Sequence, residues 1–202
     1  MRHASTQELY RYWNRQRGEA PAAKRSAVEP ADIRTLLGDT FILDTSSGTE
    51  APFRLAGTRL CELYGAEMKG RDFRSLFTGA DREAVETLIA SIATDAAAAV
   101  LGLTGETERG DRLPLEMVLL PLSSAGAGYD RILGLLVALE SPYWAGLRPL
   151  TRLGVTSVRL LWPDERPAFL AAPPAARPQT QPSPAAAELR RARLIVLEGG
   201  KR

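Results

Sequence analysis

Apolar residues near the start of the chain repeat at helical spacing. Leu9, Tyr12 and Trp13 share one face of a segment that opens with Ser5 and Glu8, the S-x-x-E spacing of a capping box, and Gly18 stops it. That aromatic face has two readings: it covers a core, or it meets a second copy of the chain as a dimerisation helix. After Pro21, Pro30 opens a second helix running to residue 37, with Ile33, Leu36 and Leu37 as its stripe and Gly38 at its end. The period then shortens. Residues 40–44 predict a strand, Ser46-Ser47-Gly48 a turn, and Phe53-Arg54-Leu55-Ala56-Gly57 the returning strand of a hairpin. Three helical pieces follow. The first covers 59–64, capped by Thr58 and closed by Gly65; the second is a brief turn over 73–77. The third begins at Asp81 and turns Val85, Leu88, Ile89 and Ile92 inward. Strands return over 98–106, 113–122 and 131–139, and the last is nearly all apolar, as in a strand buried on both faces.

Beyond Trp144 the pattern weakens. Residues 155–161 fit a short strand or a helix. The stretch that follows is rich in Ala and punctuated by Pro163, Pro167, Pro173, Pro174, Pro178, Pro182 and Pro184, a composition that favours an extended, solvated linker. Order signals come back where Leu189 and Leu194-Ile195-Val196-Leu197 sit among Arg190, Arg191 and Arg193, a candidate strand or docking segment ended by Gly199-Gly200. The predicted organisation is an N-terminal helix and loop (1–28), a domain (29–148), an extension (149–162), a Pro/Ala-rich linker (163–187) and a basic-apolar C-terminal segment (188–202).

With 45% hydrophobic residues, the chain has enough apolar material for a buried core. Its net charge of +2 gives no field that implies nucleic acid, and the basic cluster of Arg190, Arg191, Arg193, Lys201 and Arg202 is short and interleaved with apolar positions. One cysteine, Cys61, excludes an intramolecular disulfide and fits a reducing compartment. No run approaches the roughly 18–20 apolar residues of a membrane helix, and the N-terminus lacks the apolar block of a secretory signal, so a cytoplasmic protein is expected.

The order β-β, three helical pieces, β-β-β is that of PAS domains. Several strings resemble one PAS-type family found in alphaproteobacteria, formerly a domain of unknown function. They are Tyr12-Trp13 followed by Arg17-Gly18, Phe53-Arg54-Leu55-Ala56-Gly57-Thr58, Tyr64-Gly65 with Gly70 shortly after, Glu116 ahead of Leu119-Leu120-Pro121-Leu122, and Trp144 with Gly146. Together they span residues 8–148. The resemblance implies an α+β fold: a five-stranded antiparallel sheet with short helices on one face, preceded by the amphipathic helix. It also implies a sensory or interaction module in a setting such as cell-cycle or stress regulation, and it assigns no ligand. Arg54, alternating with Phe53 and Leu55, is expected to point away from the core and to pair with a carboxylate such as Glu116.

Catalytic chemistry finds little support. Light-sensing PAS relatives attach flavin through a cysteine in an Asn-Cys-Arg-Phe-Leu-Gln string, whereas Cys61 sits in Thr58-Arg59-Leu60-Cys61-Glu62-Leu63 and reads as a small buried hydrophobe. His3, the single histidine, precedes the first helix. It is badly placed for haem, and its solitude excludes Ser-His-Asp, Cys-His and His-based zinc arrangements. Glu106 and Glu108 lie near a β-turn and read as a solvated tip. No catalytic residue, metal site or cofactor is therefore expected. Periodicity turns Phe41, Leu55, Leu60, Tyr64, Phe73, Phe77, Ile89 and Met117 toward the space between sheet and helices. These mostly apolar walls with one hydroxyl suit a small apolar ligand or, equally, a filled core. The expected function is a non-enzymatic regulatory module acting by protein contact. Its partners are itself, as a homodimer through Leu9, Tyr12 and Trp13, and a signalling protein. The alternative is a sensor of a small apolar ligand.

Overall fold

A computed structural model describes residues 1–124, 128–164, 167 and 170, and the chain divides into two units, Met1–Pro167 and Ala168–Arg202. The C-terminal segment 188–202, and the linker apart from residues 163, 164, 167 and 170, lie outside the described residues.

Helix α1 (Ala4–Arg17) forms where the aromatic stripe predicts it, with Leu9, Tyr10, Tyr12 and Trp13 buried and Gly18 at its end. Its start differs from the expected capping box. His3 is the N-cap, its Nδ1 accepting from the Ser5 amide at 3.2 Å. The predicted helix over 30–37 reduces to a 3-10 turn, Pro30–Ile33, followed by further turns. So short a segment gains little from helix formation alone. Tertiary anchors hold it instead: Ile33 and Leu36 are buried, and Thr40 Oγ1 donates to the Leu36 carbonyl at 2.8 Å.

The strands are β1 (Ala23–Lys24), β2 (Thr40–Asp44), β3 (Phe53–Ala56), β4 (Ala98–Thr107), β5 (Arg112–Ser123), β6 (Arg131–Ala138) and β7 (Leu150–Leu161). They form one sheet in the order β3-β2-β6-β5-β4-β7, antiparallel throughout, and β1 adds a short parallel pairing of Ala23 with Leu122 on β5. The sheet thus has more strands than the five expected. β7 is the main addition. It pairs with β4 from Ala98↔Leu161 to Thr107↔Leu150, with register shifts on the way. Those irregularities, Gly154 and a polar face of Thr151, Arg152, Thr156, Ser157 and Arg159 break the alternation that marks a strand in sequence.

Between β3 and β4 lie α2 (Thr58–Tyr64), a 3-10 turn (Phe73–Leu76) and α3 (Gly79–Asp95). Gly57, not Thr58, caps α2, and the Gly38 carbonyl accepts from the Arg59 and Leu60 amides at 2.9 and 3.2 Å. Thr78 caps α3, while Asp81 Oδ2 accepts from the Val155 amide on β7 at 3.2 Å. These short helices cover one face of the sheet and share a core with Leu101, Leu115, Met117 and Leu136. The alternate positions Val118, Leu120, Leu133 and Leu135 are buried as well, and α1 packs on β5 and β6. The sheet is therefore apolar on both faces, and each large side chain removed from water contributes roughly 1.5–3 kcal/mol.

Candidate functional site

Of the side chains predicted to face the space between sheet and helices, Phe41, Leu60, Tyr64, Phe73, Phe77, Ile89 and Met117 join one buried cluster. Leu55 does not; it is 43% exposed. The cause is a register shift in the β2–β3 pair. Leu43 opposes Phe53 while the next residue along, Ile42, opposes Leu55, so Arg54 is the extra residue and Phe53 and Leu55 fall on opposite faces. Phe53, not Leu55, is the inward residue.

Aromatic rings fill this space. Phe73 lies 5.9 Å from Phe41, 5.8 Å from Phe53 and 5.4 Å from Phe77 between centroids, and Phe41 meets Phe53 edge-on at 5.4 Å. Phe41 also crosses onto Gly134, where an added Cβ would lie 2.1 Å from Cζ. Among the described residues, one buried side-chain polar atom in this cluster lacks a partner. The Tyr64 hydroxyl is buried with no hydrogen-bond partner, and burial pushes its phenol above the ordinary value. It is a neutral group with an unused donor and acceptor.

The predicted dimer face is engaged within its own chain. Leu9, Tyr12 and Trp13 are 0%, 3% and 1% exposed. Trp13 Nε1 donates to the Pro121 carbonyl at 2.8 Å, and Tyr12 Oη accepts from the Glu29 amide at 2.8 Å. The face covers the sheet, because an aromatic stripe beside an apolar strand surface is buried most simply there.

Nor does Arg54 meet Glu116. Arg54 pairs with Asp44, a buried carboxylate that also accepts from Arg131 Nη1 at 2.6 Å and from the Ser46 amide at 3.0 Å. Burial acts to raise the Asp44 pKa; the bonds from Ser46, Arg54 and the Arg131 charge outweigh it and bring the value to about 2. The one sequence signal for this network is the Asp44-Thr45-Ser46 spacing of an Asx-turn, in which an aspartate accepts from the amide two residues on. Glu116, 4% exposed, instead accepts from the amides of Arg2 at 2.6 Å and His3 at 3.0 Å and from the Thr6 hydroxyl. Burial again works upward, and these donors together hold its carboxyl below the usual range.

Cys61 is half-buried on α2, its thiol donating to Glu67 Oε1 at 3.8 Å. Glu106 is neutralised by Arg152 and by Arg112, the latter at 3.1 Å, and these partners depress its pKa. Among the described residues no group of three His, Cys, Asp or Glu is placed to hold a metal, and no helix is long and apolar enough to cross a membrane.

No curated protein matches this chain. Solved structures with a similar course include the Rhodobacter sphaeroides LOV protein, at 18% identity over 52% of this chain, with a TM-score of 0.42. The match spans 62% of that protein's length. Another is the blue-light photoreceptor Aureochrome1 LOV in its dark structure, at 19% identity over 57% of this chain and 84% of that one, TM-score 0.43. A third is an RNA-binding light-oxygen-voltage receptor, at 16% identity over 60% of this chain and 34% of that one, TM-score 0.44. The family profile described as "PAS domain" matches residues 1–137, from just before α1 to the penultimate residue of β6. With two-thirds of its length under that profile and β2 to β6 in the predicted order, this chain belongs to the PAS domain family.

Proposed function

We propose that this chain is a non-enzymatic regulatory module that acts in the cytoplasm through protein–protein contact, as a homodimer and with a signalling protein. Residues 29–148 form its regulatory domain and residues 1–28 a cover on the sheet. The observation that carries the reading is the filled interior. The rings of Phe41, Phe53, Phe73 and Phe77 touch one another where a ligand would otherwise lie, which leaves the surface as the place for recognition. Membership of a family of sensory and regulatory domains supports it.

A second reading, a sensor of a small apolar ligand, is favoured by one specific group. The Tyr64 hydroxyl is a buried donor without a partner, and a ligand carbonyl or ether would satisfy it. Native mass spectrometry of the freshly purified full chain separates the two. The contact reading expects masses that are whole multiples of the polypeptide with no added ligand, and no rise in melting temperature across a metabolite panel. A stoichiometric adduct that disappears in Tyr64→Phe would replace it with the sensor.

A further inference from the structure

Between β6 and β7 the chain makes a short surface turn that is anchored firmly yet displays apolar side chains. The Ala145 amide bonds to the Pro142 carbonyl, and the Leu147 and Arg148 amides both bond to the Trp144 carbonyl, each at 3.0 Å. Trp144 is sunk into the core, 8% exposed. Arg148 holds Asp111 at 2.8 Å and lies 5.8 Å above the Tyr143 ring. Pro149 sits against Gly65, so closely that a Cβ there would lie 2.7 Å from its Cγ. On this fixed base Tyr143 is 81% and Leu147 78% exposed, against 41–48% for the other exposed large apolar residues among those described. A tyrosine and a leucine exposed together on an anchored backbone turn make an apolar patch of the kind that marks an interaction surface.

A recess lies directly beside this projection. It is a groove of about 420 Å³ lined by Thr107, Glu108, Arg109, Leu147, Arg148 and Pro149. Its far wall is as firmly held as the projection: the Thr107 and Asp111 side chains bond to each other at 3.0 Å across the β4–β5 turn, and the Gly110 amide bonds to the Thr107 carbonyl at 3.0 Å. Glu108 and Arg109, of opposite sign, stand side by side and exposed at its tip.

We propose that this patch is where two copies of the chain meet. The inference rests on the homodimer reading above and supplies the surface that the buried face of α1 does not. Across a two-fold axis a patch must complement itself. This one carries a projection and a recess together, and an acid beside a base. Leu147 of one copy enters the groove of the other, and Glu108 of each faces Arg109 of its partner. Both surfaces are pre-organised, which keeps the ordering cost of association low.

Sedimentation of the full chain over a range of concentrations tests this. The wild type is expected to dimerise, and Leu147→Asp to raise the dimer dissociation constant by roughly 100-fold, as loss of a central apolar anchor does. At concentrations where both proteins are monomeric its melting temperature should match the wild type's, since in the monomer the side chain is in solvent. Glu108→Arg and Arg109→Glu should each weaken the dimer about tenfold, while the double exchange restores it to within about threefold. A dimer indifferent to all four variants would overturn the patch and leave the homodimer standing elsewhere. A wild type that remains monomeric at every concentration would overturn the homodimer reading itself, and the patch with it.

Discussion

Phe41 and Gly134 are cross-strand partners on β2 and β6, and the phenylalanine ring occupies the volume that a side chain on Gly134 would need. Gly134 is buried in the centre of a strand, where glycine is otherwise a weak choice, so its role is this close approach. Gly134→Ala is expected to displace Phe41 from Phe53 and Phe73 and to destabilise the fold by about 1–3 kcal/mol, the usual cost of overpacking. Urea unfolding measures this. A neutral result would show that the ring has somewhere else to go.

Glu116 fastens the start of α1 to the middle of the sheet through three donors. In Glu116→Gln the carboxylate becomes an amide whose NH₂ confronts one of those donors, at an expected cost of about 1–3 kcal/mol. Because its folded pKa lies below the ordinary 4.5, the carboxylate adds stability that is complete above that value and is lost as pH falls through the folded one. The gap in stability between wild type and Glu116→Gln should therefore be widest near neutrality and shrink in acid.

Asp44 extends that argument further into acid. Its pKa drops from 3.8 to about 2 on folding, so the stability it confers is whole above about 4 and disappears as pH falls toward 2. Replacement by asparagine should flatten this part of the acid limb while leaving the arginine partners in place. Chemical unfolding at half-unit steps from pH 5 to pH 2 provides the comparison, and parallel curves for the two proteins would contradict it.

Removing the Tyr64 hydroxyl should help the fold. A buried hydroxyl without a partner carries an uncompensated desolvation cost, so Tyr64→Phe is expected to stabilise the chain by about 1–2 kcal/mol. In a small single domain that corresponds to a rise of several degrees in Tm, measurable by calorimetry. A loss of stability would mean that the hydroxyl has a partner in solution.

The sequence makes much of the fold legible because the elements from β2 to β6 are locally consistent. The apolar run of β6, the turn at Gly110 and the inward stripe of α3 each state their structure without reference to anything distant. Leu55 fails for the opposite reason. Its facing depends on a bulge at Arg54, which exists only in the pairing with β2, and strict alternation assigns it to the wrong side. β7 is half legible: residues 155–161 fit a strand or a helix, and the full strand from Leu150 depends on its long contact with β4, since Gly154 and Thr156 to Arg159 break the local alternation. Glu116 illustrates a third limit. A buried acid signals a partner, but backbone amides more than a hundred positions away carry no side-chain signature by which they could be found. The candidate site divides in the same way. Its apolar lining follows from periodicity, whereas the filling of the space depends on how Phe41, Phe53, Phe73 and Phe77 interlock in three dimensions.

The attachment of α1 also sets an order of events in time. Its contacts to Glu116 and Pro121 span 108 to 114 positions of sequence, and besides the nearby β1 it packs on β5 and β6. During synthesis α1 precedes these strands, so it must wait with Leu9, Tyr10 and Trp13 exposed until residues up to about 138 have emerged and paired. Closing so long a loop is slow, and the waiting helix is an apolar ribbon open to any neighbouring chain. Slowed translation past β6, or a chaperone that shelters the first 17 residues, would therefore change the yield of this protein more than its final stability.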